Sequence, residues 1–135
     1  MKSSKTLPLI VLVALSAFPA VSQTQDAPFT DWELARFIHD WYPVMEWIHL
    51  GGGKFDYENP ERSAAELFQG SEFEARLKRR FYWTSERFRY MAGSVFRLCL
   101  LVEADDPGGA RDPQEYELVK TRLGEIAEAR RKAGD

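Results

Sequence analysis

The stretch from Ser85 to Glu103 is the feature that most constrains the fold. At about 100° per residue, its apolar side chains cover nearly the whole circumference of a helix. A helix that is apolar on most sides has to be enclosed by other elements. We therefore predict a central helix here, and a homodimer if part of its apolar face stays uncovered by its own chain. The predicted inward stripe is Phe88, Met91, Ala92, Val95, Phe96, Cys99 and Val102.

Helix-start signals divide the rest of the chain. Two are capping boxes, in which a Ser or Thr precedes a Glu by three residues, and two place Pro at the first helical position. The predicted starts are Thr30, Asn59, Ser71, Thr84 or Ser85, and Asp112. Pro43 should kink or divide the first helix, and one last helix should run from Pro113 to about Lys132. No segment alternates like a strand, so we predict an all-α fold, a small bundle of four to five helices.

Residues 1–22 have the pattern of a cleavable secretory signal peptide. Lys2 and Lys5 precede an apolar run over 7–18, which is shorter than the ~20 residues that a membrane-spanning helix needs. Small residues then end the segment at Ser22. We expect cleavage there, or two or three residues further on, and a periplasmic or secreted protein with no stable membrane insertion after cleavage. The alternative is an uncleaved membrane anchor.

The remaining chain is long enough for one domain. Removing 1–22 leaves 16 basic and 21 acidic residues, a net charge of −5 that argues against binding to nucleic acid. We expect a flexible leader over 23–29 and a single helical domain over 30–132. Cys99 is the only cysteine, so no intramolecular disulfide can form, and its apolar neighbours predict a core position.

A basic and aromatic segment spans residues 76–90. On an acidic chain it can bind an anionic ligand or an acidic protein surface through guanidinium forks and stacking. Alternatively, its cations pair with neighbouring acids and cover the bundle. Arg80 shares a helical face with Phe73 and Leu77, so its charge should need a carboxylate or a route to solvent. The candidate binding residues are Arg76, Arg79, Arg80, Trp83 and Arg87.

A second candidate site lies on the first helix. His39, Glu46 and His49 fall on one flank, and the last two have the i, i+3 spacing with which metal-binding bundles direct two ligands at one ion. These residues supply at most three ligands, and a complete di-metal site would need a second such pair. The alternative is an exposed surface or an aromatic rim with Trp32 and Tyr42. No cofactor is predicted.

No catalytic motif is present in the sequence. It contains no Gly-x-Ser-x-Gly, His-Glu-x-x-His or Cys-x-x-Cys-His, and Gly51-Gly52-Gly53-Lys54 lacks the spacing of a phosphate-binding loop. The lack of a catalytic motif, together with the basic and aromatic segment, therefore favours a non-enzymatic binding or interaction protein, with an unidentified protein or an anionic ligand as partner. A metal- or cofactor-binding bundle and an enzyme with a spatially assembled site are the two alternatives.

The segment from Trp83 to Val95 resembles one found in short, uncharacterised, exported α-helical proteins of bacteria. In both, an aromatic residue and a Ser or Thr begin a helix that continues through a Phe and two small residues. The resemblance covers about a tenth of the chain. It implies the helical class and the exported compartment, and it implies no activity.

Overall fold

A computed structural model describes residues 26–134, which form six α-helices and no strand. The helices are α1 (Asp31–Leu50), α2 (Pro60–Leu67), α3 (Ser71–Phe81), α4 (Ser85–Glu103), α5 (Pro113–Thr121) and α6 (Leu123–Lys132). A short 3₁₀ turn, Pro107–Gly109, lies between α4 and α5. The all-α prediction is confirmed, with one helix more than expected. The predicted signal peptide, residues 1–22, lies outside the described residues.

The additional helix arises because the predicted last helix is divided at Arg122. This residue leaves helical geometry, and its guanidinium binds the Asp31 carboxylate at the start of α1 with N–O distances of 2.7 and 2.8 Å. It also donates to Glu125 in α6. The chain bends where one side chain ties α5 and α6 to α1. Pro43, in contrast, lies inside α1 without dividing it.

The predicted helix starts differ in how they are capped. Thr84 and Asp112 accept backbone N–H bonds from the first turns of α4 and α5, as predicted. Thr30 likewise accepts from the backbone of Glu33. The capping box predicted at Ser71 is wrong, because Gly70 occupies the N-cap and makes no side-chain cap bond. The carboxylate expected to complete that box, on Glu74, instead accepts from Ser85 in α4.

The central position predicted for α4 is confirmed by its burial. Every residue from Met91 to Phe96 is buried, and the rings of Phe37, Trp41 and Phe68 pack around the helix. Among the large hydrophobic residues of α4, only Leu100 is exposed, at 38%. The chain itself therefore covers the apolar face of α4 as far as Cys99, whereas Leu101 and Val102 are half-buried, and the homodimer stays a prediction.

The segment before α1 is docked, which corrects the predicted flexible leader for residues 26–29. Phe29 is 3% exposed, and its N–H donates to the buried Glu115 carboxylate at 3.0 Å. Arg87 donates to the carbonyl of Ala27 at 2.7 Å. A buried ring and two long-range hydrogen bonds hold this segment on the bundle. Residues 23–25 lie outside the described part of the chain.

Two glycines in helices offer a matched test of the packing between α2 and α4. Where the two helices meet, a Cβ on Gly93 would lie 3.3 Å from the Cα of Glu61. Replacing Gly93 with valine should lower the free energy of unfolding by about 2 kcal/mol, because the branched side chain would force the helices apart. Gly124 has no atom within 4 Å of its Cβ position apart from its own helix backbone, so the same change to valine there should not lower that free energy. Urea unfolding measures both, and equal effects would show that close packing does not select Gly93.

Candidate functional site

The structure separates the predicted binding residues into core and surface. Trp83 is 2% exposed, and its indole Nε1 donates to the buried Asp40 carboxylate at 2.8 Å. Its ring packs against Phe37 and Phe88. Trp83 therefore belongs to the core, and its only polar atom is engaged within the chain. This position corrects its assignment to a binding surface.

Arg87 also makes contacts that stabilise the fold. Its guanidinium makes a two-pronged ion pair with Glu33, with N–O distances of 2.7 and 2.8 Å, and donates to Ala27 as described above. Its planar group lies 4.9 Å from the centre of the Tyr90 ring. The carboxylate of Glu33 raises the pKa of Arg87. Because the side chain is only 16% exposed, Arg87 is a structural contact and not part of an open binding surface.

The other three predicted residues lie on α3. Arg76 is half-buried and stacks on Trp47, with 4.7 Å between its guanidinium carbon and the ring centre. Arg79 and Arg80 are exposed in the last turn together with Lys78. Within residues 26–134, none of Arg76, Arg79 and Arg80 lies within 4 Å of a carboxylate. Arg80 therefore reaches solvent rather than a buried partner.

The structure adds Arg36, which sequence reasoning missed. One of its nitrogens donates to the carbonyls of Phe81 and Tyr82, at 2.6 and 2.8 Å. Carbonyls at a helix end lack partners within the helix, so Arg36 completes the end of α3. Its guanidinium carbon lies 4.1 Å from the centre of the Trp83 ring and 5.9 Å from that of Trp32. The side chain is thus fixed between α1 and α3.

Two exposed aromatic side chains flank this arginine. Trp32 lies one turn before it in α1 and is 72% exposed, and Tyr82 follows α3 and is 81% exposed. We call the residues around this helix end the Arg36 surface; it consists of Trp32, Arg36 and Tyr82 together with Lys78, Arg79 and Arg80 in the last turn of α3. The spacing of four residues between Trp32 and Arg36 places them on one helical face, and this spacing was the only sequence pattern that could have indicated the surface. The contact of Arg36 with the end of α3 could not be predicted from the sequence, because 45 residues separate Arg36 from Phe81.

Tyr82 holds an unfavourable backbone conformation. Its φ is 61°, in the left-handed region that favours glycine at the position after a helix. A tyrosine at this position lowers the stability of the chain relative to glycine. Because its ring is in solvent, the ring adds little packing energy that would compensate. Strained residues of this kind are concentrated at functional sites.

The predicted metal ligands are not gathered into one site. The side chain of His39 is 85% exposed and lies 3.1 Å from Asp40, while Glu46 accepts a hydrogen bond from Tyr42 at 2.9 Å. His49 is exposed in the last turn of α1. Between residues 26 and 134, no three or more His, Cys, Asp and Glu side chains are arranged to hold a metal ion. Cys99 is buried, and burial raises the pKa of its thiol to about 12.

Comparisons with protein-family models, with curated proteins and with solved structures found no match to this chain. Within residues 26–134, no helix has both the length and the apolar character needed to cross a membrane. The assignment of a function therefore depends on the side chains of the chain itself.

Proposed function

We propose that this chain is an exported protein that binds a protein partner through the Arg36 surface. The observation that carries the proposal is Tyr82, an exposed aromatic side chain held in a strained backbone beside the fixed Arg36. Export rests on the signal-peptide pattern of residues 1–22. A periplasmic or secreted location follows from that pattern, and the proposed role is non-enzymatic.

The chemistry of the surface favours an acidic protein partner. Trp, Tyr and Arg are the residue types that most often supply the binding energy of protein interfaces. Arg36 is already ordered by two hydrogen bonds, so it loses little conformational freedom on binding. Lys78, Arg79 and Arg80 add three positive charges that carboxylates of a partner can approach.

Site-specific photocrosslinking in the producing cell tests the surface. A photoreactive amino acid at position 32 or 82 should give a common protein adduct, and the same group at Leu50 should not, although Leu50 is 86% exposed. Arg79→Glu with Arg80→Glu should remove the adduct by reversing two charges. Equal adducts from position 50, or no adduct from either 32 or 82, would contradict the proposal.

The export part of the proposal has a separate readout. The mass of the protein recovered from the periplasm or the medium should correspond to a chain that begins at about residue 23. Recovery of the uncleaved chain in the cytoplasm alone would reject export and leave the crosslinking result unaffected.

Replacing Tyr82 with glycine should separate stability from binding. Because glycine adopts this φ without strain, the free energy of unfolding should rise by about 1 kcal/mol, measured by urea unfolding. The variant should lose most of the adduct formed from position 32. Asp105, at φ 52°, is the matched control, since Asp105→Gly relieves similar strain away from the Arg36 surface and should leave the adduct intact. Unchanged adduct formation in the Tyr82→Gly protein would remove Tyr82 from the binding surface.

A further inference from the structure

A cleft of about 330 Å³ lies between α2 and the first half of α4. Its lining includes four small residues, Ala64, Ala65, Gly93 and Ser94, and charged groups of both signs. We propose that this cleft binds a short peptide of two or three residues through its free ammonium and carboxylate termini. The site is separate from the Arg36 surface and does not depend on it.

Arg111 supplies the anion-binding part of the cleft. Its side chain is 60% exposed and lies 4.0 Å from the Glu61 carboxylate, which is too far for a good hydrogen bond. Glu61 is also 3.8 Å from Arg97, so two guanidinium groups share its negative charge. The N–H donors of Arg111 can therefore take a carboxylate in the two-pronged geometry that this side chain favours.

Tyr90 borders the same part of the cleft as a neutral group. Its ring centre is 5.8 Å from the guanidinium carbon of Arg111, and its hydroxyl donates to Glu115 at 2.7 Å. Burial and the Glu115 carboxylate raise the pKa of Tyr90 to about 12. The phenol stays protonated near neutral pH, so it adds no negative charge that would repel a ligand carboxylate.

Glu86 supplies a carboxylate for the ammonium group. Its Oε1 lies 3.2 Å from the Ser85 hydroxyl, whose one proton it shares with Glu74, and hydrogen bonds from its own backbone N–H and from Ser85 lower its pKa, so it stays ionised. Arg89 lies beside it but donates to the carbonyl of Phe68 at 2.5 Å, which directs one side of that guanidinium towards the end of α2. Asp26 adds a second carboxylate to the lining.

The dimensions of the cleft limit the length of the ligand. Arg111 lies beside the Tyr90 ring and beside Glu61, which contacts Gly93. Glu86 precedes Tyr90 by four residues and Gly93 by seven, so a rise of 1.5 Å per residue places Glu86 roughly 6–10 Å along α4 from the region next to Arg111. An extended chain spans about 3.3–3.6 Å per residue, so two or three residues bridge this distance. Of the four small lining residues only Ala65 is exposed, so its methyl group borders the space for a peptide backbone and favours small ligand side chains.

An NMR titration with trialanine tests the proposal. Trialanine with free termini should shift the backbone amide signals of Gly93 and Ser94, and the N-acetylated and C-amidated forms should bind about tenfold more weakly. Arg111→Gln should reduce the affinity for free trialanine to that of the amide and leave amide binding unchanged. Arg131→Gln, on α6, is the control for a lost exposed arginine and should bind as the unaltered protein does.

A second variant blocks the cleft without removing a charge. Ala65 is exposed and lines the cleft, so Ala65→Trp should fill it and abolish the shifts. The absence of shifts with free trialanine, equal binding of the three peptide forms, or full binding by the Arg111→Gln protein would each overturn the proposal. If Ala65→Trp does not fold, the Arg111→Gln comparison still decides the question, because that substitution lies at an exposed side chain.

Discussion

Replacing Trp41 with alanine should lower the free energy of unfolding by about 4 kcal/mol. Trp41 has no solvent exposure, and the rings of Phe96 and Phe55 lie 4.7 and 5.0 Å away between centres. Its indole N–H also donates to the hydroxyl of Tyr57 at 3.1 Å. Truncation would leave a cavity where α1, the loop after it and α4 meet. Urea unfolding followed by far-ultraviolet circular dichroism measures the loss.

Two other tryptophan substitutions provide the controls. Trp32→Ala removes the same side chain from a site that is 72% exposed and should change the free energy of unfolding by no more than about 0.5 kcal/mol. Trp41→Phe keeps an aromatic ring but loses the bond to Tyr57, so its cost should fall between those of the two alanine variants. Similar losses for Trp41→Ala and Trp32→Ala would show that the aromatic cluster around Trp41 does not dominate stability.

Replacing Arg87 with methionine should lower the free energy of unfolding by about 2 kcal/mol. Methionine keeps most of the side-chain volume but leaves the Glu33 carboxylate, which is 20% exposed, without its cation. Breaking a fully buried ion pair costs about 3–5 kcal/mol, and the residual exposure here reduces that cost. The carbonyl of Ala27 also loses its donor, so hydrogen exchange at the amide of Phe29 should accelerate.

An exposed ion pair serves as the control for Arg87. Arg131 pairs with Glu128 three residues earlier on α6, and its side chain is 69% exposed. Exposed pairs contribute about 0–1 kcal/mol, so Arg131→Met should have almost no effect. A loss from Arg87→Met no larger than that from Arg131→Met would contradict the structural role of the Arg87–Glu33 pair. Unchanged exchange at Phe29 would show that Arg87 does not hold the segment before α1.

Local sequence patterns predicted the helices well because their causes are local. A helix cap involves residues two or three positions apart, so the caps Thr84 and Asp112 could be predicted from short segments. The apolar stripe of a helix recurs with every turn, so the central position of α4 could be predicted in the same way. The buried position of Cys99 followed from its apolar neighbours in the same way. The local rules failed where tertiary contacts used the capping residues, as at Glu74, which bonds to Ser85 instead of closing a capping box.

The candidate site was only partly predictable for the same reason. Residues of one basic and aromatic segment were expected to act together, yet Trp83 turned inward to Asp40 while Arg79 and Arg80 stayed in solvent. A helical wheel also placed Arg80 towards the core, although the chain leaves the helix after Phe81 and the side chain is exposed. Neighbours in sequence separate at a helix end, where the direction of the chain changes.

The sequence by itself determined the helical class, the starts of most helices and the central position of α4. Only the tertiary structure decided that Arg36 caps α3, that Glu33 takes Arg87 as its partner, and that Glu115 holds Phe29. These contacts join residues 45 to 86 positions apart. A short-range sequence pattern indicates that an arginine needs a hydrogen-bond acceptor, but several carboxylates and carbonyls of the chain could serve as that acceptor. The packing of the helices selects among them, because it alone brings one acceptor within hydrogen-bond distance.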